Sequence, residues 1–103
     1  MHKVVMTATA KEDLFNSAKY IKNEIKNIIA SKKLVDDAEK VLKSLENMPT
    51  RQPLVKDSYL ASLGIRLVLV NNYLIFYTVD EKEKVVSVLR FLSSKRDWIN
   101  LLK

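Results

Sequence analysis

Four cations are the residues of this sequence best placed to do chemistry: Arg66, Arg90, Lys95 and Arg96. Arg66 interrupts an apolar run, Ile65 to Val70, that has strand character. Strand side chains alternate between faces, so Arg66, Val68 and Val70 share one face and Ile65, Leu67 and Leu69 the other. An arginine in such a run is either an edge contact to solvent or an anion-binding group. Arg90 stands in a second apolar run, aligned with Val86 and Val88, and Lys95 and Arg96 follow it. If the strands lie side by side, these four can converge on one concave face. Guanidinium groups there bind phosphate or carboxylate bidentately. Taken alone, Lys95 and Arg96 also fit a solvated helix start. Tyr73 and Tyr77 alternate with Phe76, and Trp98 follows later. These aromatics read first as core and second as a base-stacking platform.

Other chemistry is thinly represented. There is no cysteine, which removes a disulfide scaffold, a zinc-thiolate site and a thiol nucleophile. The single histidine, His2, sits at the N-terminus and reads as a solvated strand end rather than a general base. Gly64 is the only glycine, so there is no phosphate-cradling loop. Metal ligands would have to be carboxylates alone. Asp36, Asp37 and Glu39 fall on a helix, and the first two point about 100° apart. They read as a solvated face balanced by Lys33 and Lys40. Glu12 and Asp13 fall in a first helical turn, where negative charge suits the helix dipole. No metal and no cofactor is expected.

The 103 residues make one domain, 1–103, with a modest core. A hydrophobic share of 48% is too high for a disordered chain. No apolar run approaches the roughly 20 residues of a membrane helix, so a membrane partner is not expected. The absence of cysteine and of a secretory segment points to the cytoplasm. The formal net charge of +6 invites a polyanionic or acidic partner. Both halves share the excess, which indicates a basic globule without a basic tail.

The positioning elements follow from periodicity. His2 to Thr7 reads as a strand. Thr9-Ala10-Lys11-Glu12 fits a capping box. Leu14, Ala18, Ile21 and Ile25 then form one helical stripe, and Asn27 breaks it. Leu34, Ala38, Val41 and Leu45, with Leu42 beside them, form a second stripe that ends before Pro49. Pro49 to Ser58 reads as a linker. Ile65 to Val70, Tyr73 to Val79 and Lys84 to Phe91 form an antiparallel meander, its first turn a type I′ turn at Asn71-Asn72. Asp97 to Leu102 forms a last short helix with Trp98, Leu101 and Leu102 on its apolar face. The expected fold is α+β, in the order β-α-α-β-β-β plus a short C-terminal helix. A two-helix hairpin packs on one face of a small, mostly antiparallel twisted sheet.

The ordered set of segments resembles the RelE/ParE superfamily, the toxin halves of bacterial type II toxin–antitoxin pairs. Thr9-Ala10-Lys11-Glu12-Asp13-Leu14 with Tyr20-Ile21 is similar to the family's first helix, and Leu45-Glu46-Asn47-Met48-Pro49 to the end of its second. Gly64-Ile65-Arg66 and the block Asn72 to Glu81 follow, then Val88-Leu89-Arg90 and Lys95-Arg96-Asp97-Trp98. The resemblance runs from Val4 to Leu102. It implies a small basic toxin neutralised by a cognate antitoxin, acidic and partly disordered when free, that wraps the helices and sheet. The C-terminal helix, through Trp98, Leu101 and Leu102, is expected to dock on the sheet and to take part in antitoxin binding. A homodimer, or a heterotetramer with the antitoxin, is compatible with the family.

Superfamily members differ in target. RelE- and YoeB-like members cut messenger RNA on the ribosome; ParE-like members poison DNA gyrase. Strand scission needs a base for the 2′-hydroxyl and cations for the phosphate. Here Leu74 stands where a YoeB-like member carries an arginine, and Leu92 and Ser93 where its terminal His-Tyr pair would fall. In a RelE-like alignment Ser94 and Asn100 replace the late arginine and tyrosine. Arg66, Arg90 and Arg96 persist. They hold phosphate more readily than they move a proton. The expectation is therefore a non-catalytic, ParE-like gyrase inhibitor, in which Arg66, Arg90, Lys95 and Arg96 bind the target. The alternative is a ribosome-dependent ribonuclease with Arg66, Arg90 and Arg96 as catalytic candidates. A third reading is an inactive binding module.

Overall fold

The computed structural model describes residues 1–103, beginning with strand β1 (Lys3–Met6). Thr7 caps helix α1 (Ala8–Asn23): its Oγ1 accepts from the Ala10 amide at 3.1 Å and donates to the Leu89 carbonyl at 3.1 Å. The cap therefore lies two residues before the expected Thr9, because the Thr7 hydroxyl serves the helix and the sheet together. Helix α1 ends at Asn23 with Glu24 as its cap, four residues before the expected break at Asn27, and Asn27 instead caps α2 (Ile28–Ser44), accepting from the Ala30 amide at 3.0 Å.

The segment expected as a linker is structured. A 3₁₀ turn, Pro49–Arg51, precedes a short helix, α3 (Ser58–Ser62), whose cap Asp57 accepts from the Leu60 amide at 3.0 Å. Gly64, at φ 81°, closes α3: its amide donates to Ala61 while the Ile65 amide reaches back to Leu60. Those two bonds satisfy carbonyls that a helix end leaves open, and the left-handed residue they require is the chain's one glycine.

Strands β2 (Arg66–Val70), β3 (Tyr73–Asp80) and β4 (Val85–Ser93) complete one four-stranded sheet in the order β1-β4-β3-β2. The meander is antiparallel, and β1 pairs parallel with β4 over Val85–Val88. In the β2–β3 turn only Asn71 has positive φ, at 53°, so the turn is not type I′, which needs it at both central residues.

Both faces of the sheet are covered, not one. Helices α1 and α2 pack on the first through Ala10, Leu34, Ala38 and Leu45 against Val70, Ile75, Tyr77, Val86, Val88 and Phe91. Val55, Leu60, Ile65, Phe76 and Leu92 form a second core under α3 and α4 (Trp98–Leu102). Trp98 lies against Phe76 with ring centroids 5.2 Å apart. Trp98, Ile99 and Leu102 make the docking face, while Leu101 points outward. The buried Tyr77 hydroxyl donates to the Pro49 carbonyl at 2.6 Å, tying the 3₁₀ turn to the first core. Ile25, expected in the α1 stripe, is exposed, because α1 ends at Asn23 and Ile25 falls in the turn before α2. No helix is long and apolar enough to cross a membrane.

Candidate anion-binding cleft

The alternation of β4 is broken by a bulge. Val88 pairs with Tyr77 and Arg90 with Phe76, leaving Leu89 as the extra residue. Phe91, not Arg90, therefore joins Val86 and Val88 on the helix-hairpin face. Beyond Val88, β1 has already turned into α1, and the outer side of β4 lacks a strand partner. Asp13 of α1 fills the gap. Its Oδ2 accepts from Arg90 Nε at 2.7 Å and from the Phe91 amide at 3.0 Å, and its Oδ1 accepts from Arg90 Nη2 at 3.0 Å. The carboxylate hydrogen bond, opposed by partial desolvation, raises the Arg90 pKa. With α1 starting at Ala8, Asp13 lies in the second turn and serves as the latch to β4 rather than as a dipole partner.

Above this pair opens a cleft of about 440 Å³ between α1 and the ends of β3 and β4. Asn16, Ser17 and Tyr20 line it from α1, Tyr73 and Phe91 from the sheet, and Arg96 from the turn after β4. Tyr73 and Phe91 stack at 4.9 Å and form an aromatic wall. Arg96 is exposed and takes no part in the chain's ion pairs. It is the free guanidinium of the cleft.

The four cations do not converge. Arg66 sits opposite Tyr77, four residues along β3 from the Tyr73–Ser93 pair that leads to Arg96. That is about 13 Å at strand rise. Its Nη1 donates to the Gln52 carbonyl at 2.5 Å. Arg90 is closed on Asp13. Lys95 is exposed at the turn, its amide bonded to Ser93 Oγ at 3.3 Å. One of the four thus lines the cleft, one braces its floor and two lie outside it. Trp98 and Leu102 belong to the second core.

The sequence reading missed Asp13, Asn16, Ser17 and Tyr20 as a site. Their spacing of three, four and seven puts them on one helical face beside the apolar stripe, a signal that was present. His2 is not a solvated end: its amide donates to the Glu46 carbonyl at 2.7 Å, its side chain is mostly buried, and Nε2 stands 3.3 Å from Glu81 Oε1. On the acidic helix face Lys33 Nζ stands 2.7 Å from Asp37 Oδ2, one turn of α2 away.

A second hollow, about 260 Å³ and almost wholly apolar, lies on the other flank of α1 between Met6, Leu14, Phe15 and Val35, beside Lys11. Phe15 is 65% exposed there.

The family model described as ParE toxin of the type II toxin–antitoxin system parDE matches residues 4–98. The solved chromosomal ParDE system from P. aeruginosa contains a chain that superimposes with a TM-score of 0.72 at 16% identity, over 90% of this chain and 96% of that one. A chain of the toxin–antitoxin complex RelBE2 from Mycobacterium tuberculosis superimposes with a TM-score of 0.59 at 23% identity, over 89% and 96%. No curated protein matches the sequence.

Proposed function

The chain belongs to the ParE toxin family of type II toxin–antitoxin systems, and from that premise we propose that it arrests growth by binding its target, DNA gyrase, without cutting RNA. A cognate antitoxin holds it inactive. The observation that carries the non-catalytic reading is the closure of Asp13 on Arg90. A ribonuclease of this size needs a base within reach of a 2′-hydroxyl and cations gathered on one phosphate. The one carboxylate lining the cleft already accepts three hydrogen bonds, two of them from a guanidinium. The other candidate cations are not gathered: Arg66 stands on β2 and Lys95 and Arg96 follow β4. Arg96, Tyr20 and Tyr73 can hold an anionic or aromatic group there; none is placed as a general base.

Inducible expression in a bacterium that carries no cognate antitoxin, with pulse labelling of DNA and protein synthesis within minutes, tests this. Early failure of DNA synthesis with filamentation is expected. Early arrest of translation with cleaved messages would overturn the gyrase reading and make Arg66, Arg90 and Arg96 catalytic candidates. Unimpaired growth would leave an inactive binding module.

A further inference from the structure

Strand β2 is an edge of the sheet, and only part of that edge is covered. The Leu67 amide donates to the Pro53 carbonyl at 3.3 Å, and the Val55 amide to the Ile65 carbonyl at 3.0 Å. Backbone groups of alternate strand residues point to opposite sides, so those of Ile65, Leu67 and Leu69 face away from β3. The segment from Pro53 to Val55 therefore guards the edge as far as the Leu67 amide. Beyond it the Leu67 carbonyl and both backbone groups of Leu69 stand on the open side, without a partner strand. Leu69 is also 60% exposed, and it lies outside the second core that buries Ile65 and shelters Leu67. Exposed apolar edges are templates for strand addition, and proteins commonly blunt them with a charge or a proline. Neither stands on this one past Arg66. From Ser58 to Val79 the one charged residue is Arg66, in a chain of net charge +6. The opposite edge strand, β1, begins with Lys3.

We infer that β2 pairs antiparallel with β2 of a second copy of this chain, about a two-fold axis at Leu69, so that two four-stranded sheets become one of eight strands. The two Leu69 residues exchange amide–carbonyl bonds, and each Asn71 amide donates to the Leu67 carbonyl opposite it. The two Leu69 side chains lie together on the face of the second core. The register limits itself. Each strand turns away towards β3 at Asn71, opposite Leu67, and Pro53 already occupies the edge beyond that point. Charge decides the occupant. Arg66 lies three residues from the axis, so the two Arg66 side chains stand about 20 Å apart at strand rise, well past the screening length of roughly 8 Å at physiological salt. Two copies of a basic chain thus meet here without opposing their cations. An acidic strand finds no free cation at the seam, since Arg66 is held by the Gln52 carbonyl, and a nucleic-acid backbone finds none either. The pairing is independent of the target that the toxin binds.

Sedimentation velocity on the full chain, free of other proteins, tests the seam over a concentration series. So small an interface predicts a reversible dimer with Kd of roughly 10–500 µM. Leu69→Lys alters an exposed side chain, and a thermal melt confirms that it folds. It sets like charges face to face across the axis and should weaken association at least tenfold, more at low salt than at high. Leu69→Ile, which keeps an apolar strand former, should associate within threefold of the parent. Phe15→Lys, on α1 over β1 and β4, should leave it unchanged. Amide hydrogen exchange gives a second readout. The Leu69 and Asn71 amides should slow at least tenfold between dilute and concentrated samples, while the Leu67 amide, already bonded to Pro53, should not change. A chain still monomeric at about 1 mM would overturn the proposal. So would a dimer that survives in folded Leu69→Lys, or one that leaves Leu69 exchange independent of concentration. A Leu69 amide protected only when an antitoxin is added would assign the edge to a different chain and overturn it as well.

Discussion

Replacing Asp13 with asparagine should be the most damaging single isosteric change outside the two cores. The carboxylate makes two bonds to Arg90 and one to the Phe91 amide, all between 2.7 and 3.0 Å. Asparagine keeps one oxygen, which at the Oδ2 position can serve Phe91 and Arg90 Nε but leaves Arg90 Nη2 without an acceptor. Its amide nitrogen would oppose Arg90 Nη2, donor against donor. Bonds to charged groups are worth about 1.5–3 kcal/mol each, and stranding one partner of a buried pair costs about 3–5. Side-chain exposures of 21% and 15% put this pair between surface and interior, so a loss of about 3 kcal/mol is expected. For a chain of this length that lowers Tm by roughly 15 °C. Calorimetric melts of Asp13→Asn, Arg90→Gln and the double variant give the coupling directly. It should exceed about 1 kcal/mol for groups in direct contact. A coupling near zero, with melts within about 3 °C of the parent, would refute the idea that this pair latches α1 to β4.

Three further outcomes follow from single contacts. Trp98→Ala should cost about 2 kcal/mol, below the full price of a wholly buried tryptophan because Trp98 is half-buried; an unchanged Tm would mean that α4 is not docked on Phe76. Burial pushes the Tyr77 pKa up to about 12, against nearby Arg66 and Arg51. The folded state keeps the proton that the unfolded chain loses from pH 10, so this stability is complete below pH 10 and falls by roughly 2–3 kcal/mol as pH rises through 12. Denaturant titrations should show Tyr77→Phe losing about 1 kcal/mol at pH 7, with its stranded Pro49 carbonyl, but declining less above pH 10; parallel alkaline limbs would count against it. Gly64→Ala meets no atom within 4 Å of the new Cβ, so its cost should be the positive φ alone, about 1–2 kcal/mol in urea unfolding. A stabilised variant would rule out the left-handed closure of α3.

Element order was legible because each long segment carried its own period. The stripe Leu34, Ala38, Val41 and Leu45 lies on the core side of α2 as its spacing required. The meander followed from turns too short for a crossover. What failed was decided by tertiary bonds. In sequence Thr9, with Glu12 three residues on, is the better cap; the bond to the Leu89 carbonyl selects Thr7. Helix α3 has five residues, too few to show a period, and owes its existence to Asp57, Gly64 and the second core. In α4, Ile99 rather than Leu101 turns inward, which five residues of nearly continuous apolar sequence cannot specify.

The site was half legible for a different reason. Its cations were visible as residue types, but a cation's role depends on which anion reaches it first. Arg90 finds Asp13, 77 residues away in sequence, because a bulge at Leu89 shifts its register and the end of β1 leaves an amide to be satisfied at Phe91. Neither event has a local signature. Arg66 is likewise claimed by the Gln52 carbonyl of a segment that read as linker. Arg96 escapes both fates by lying past the last strand, where no element returns to cover it. In a small domain with more cations than acids, the groups free for a partner are therefore those that the fold's own carboxylates and carbonyls cannot reach. By that rule Arg96 is available charge, and Arg66 and Arg90, within the strands, are structural.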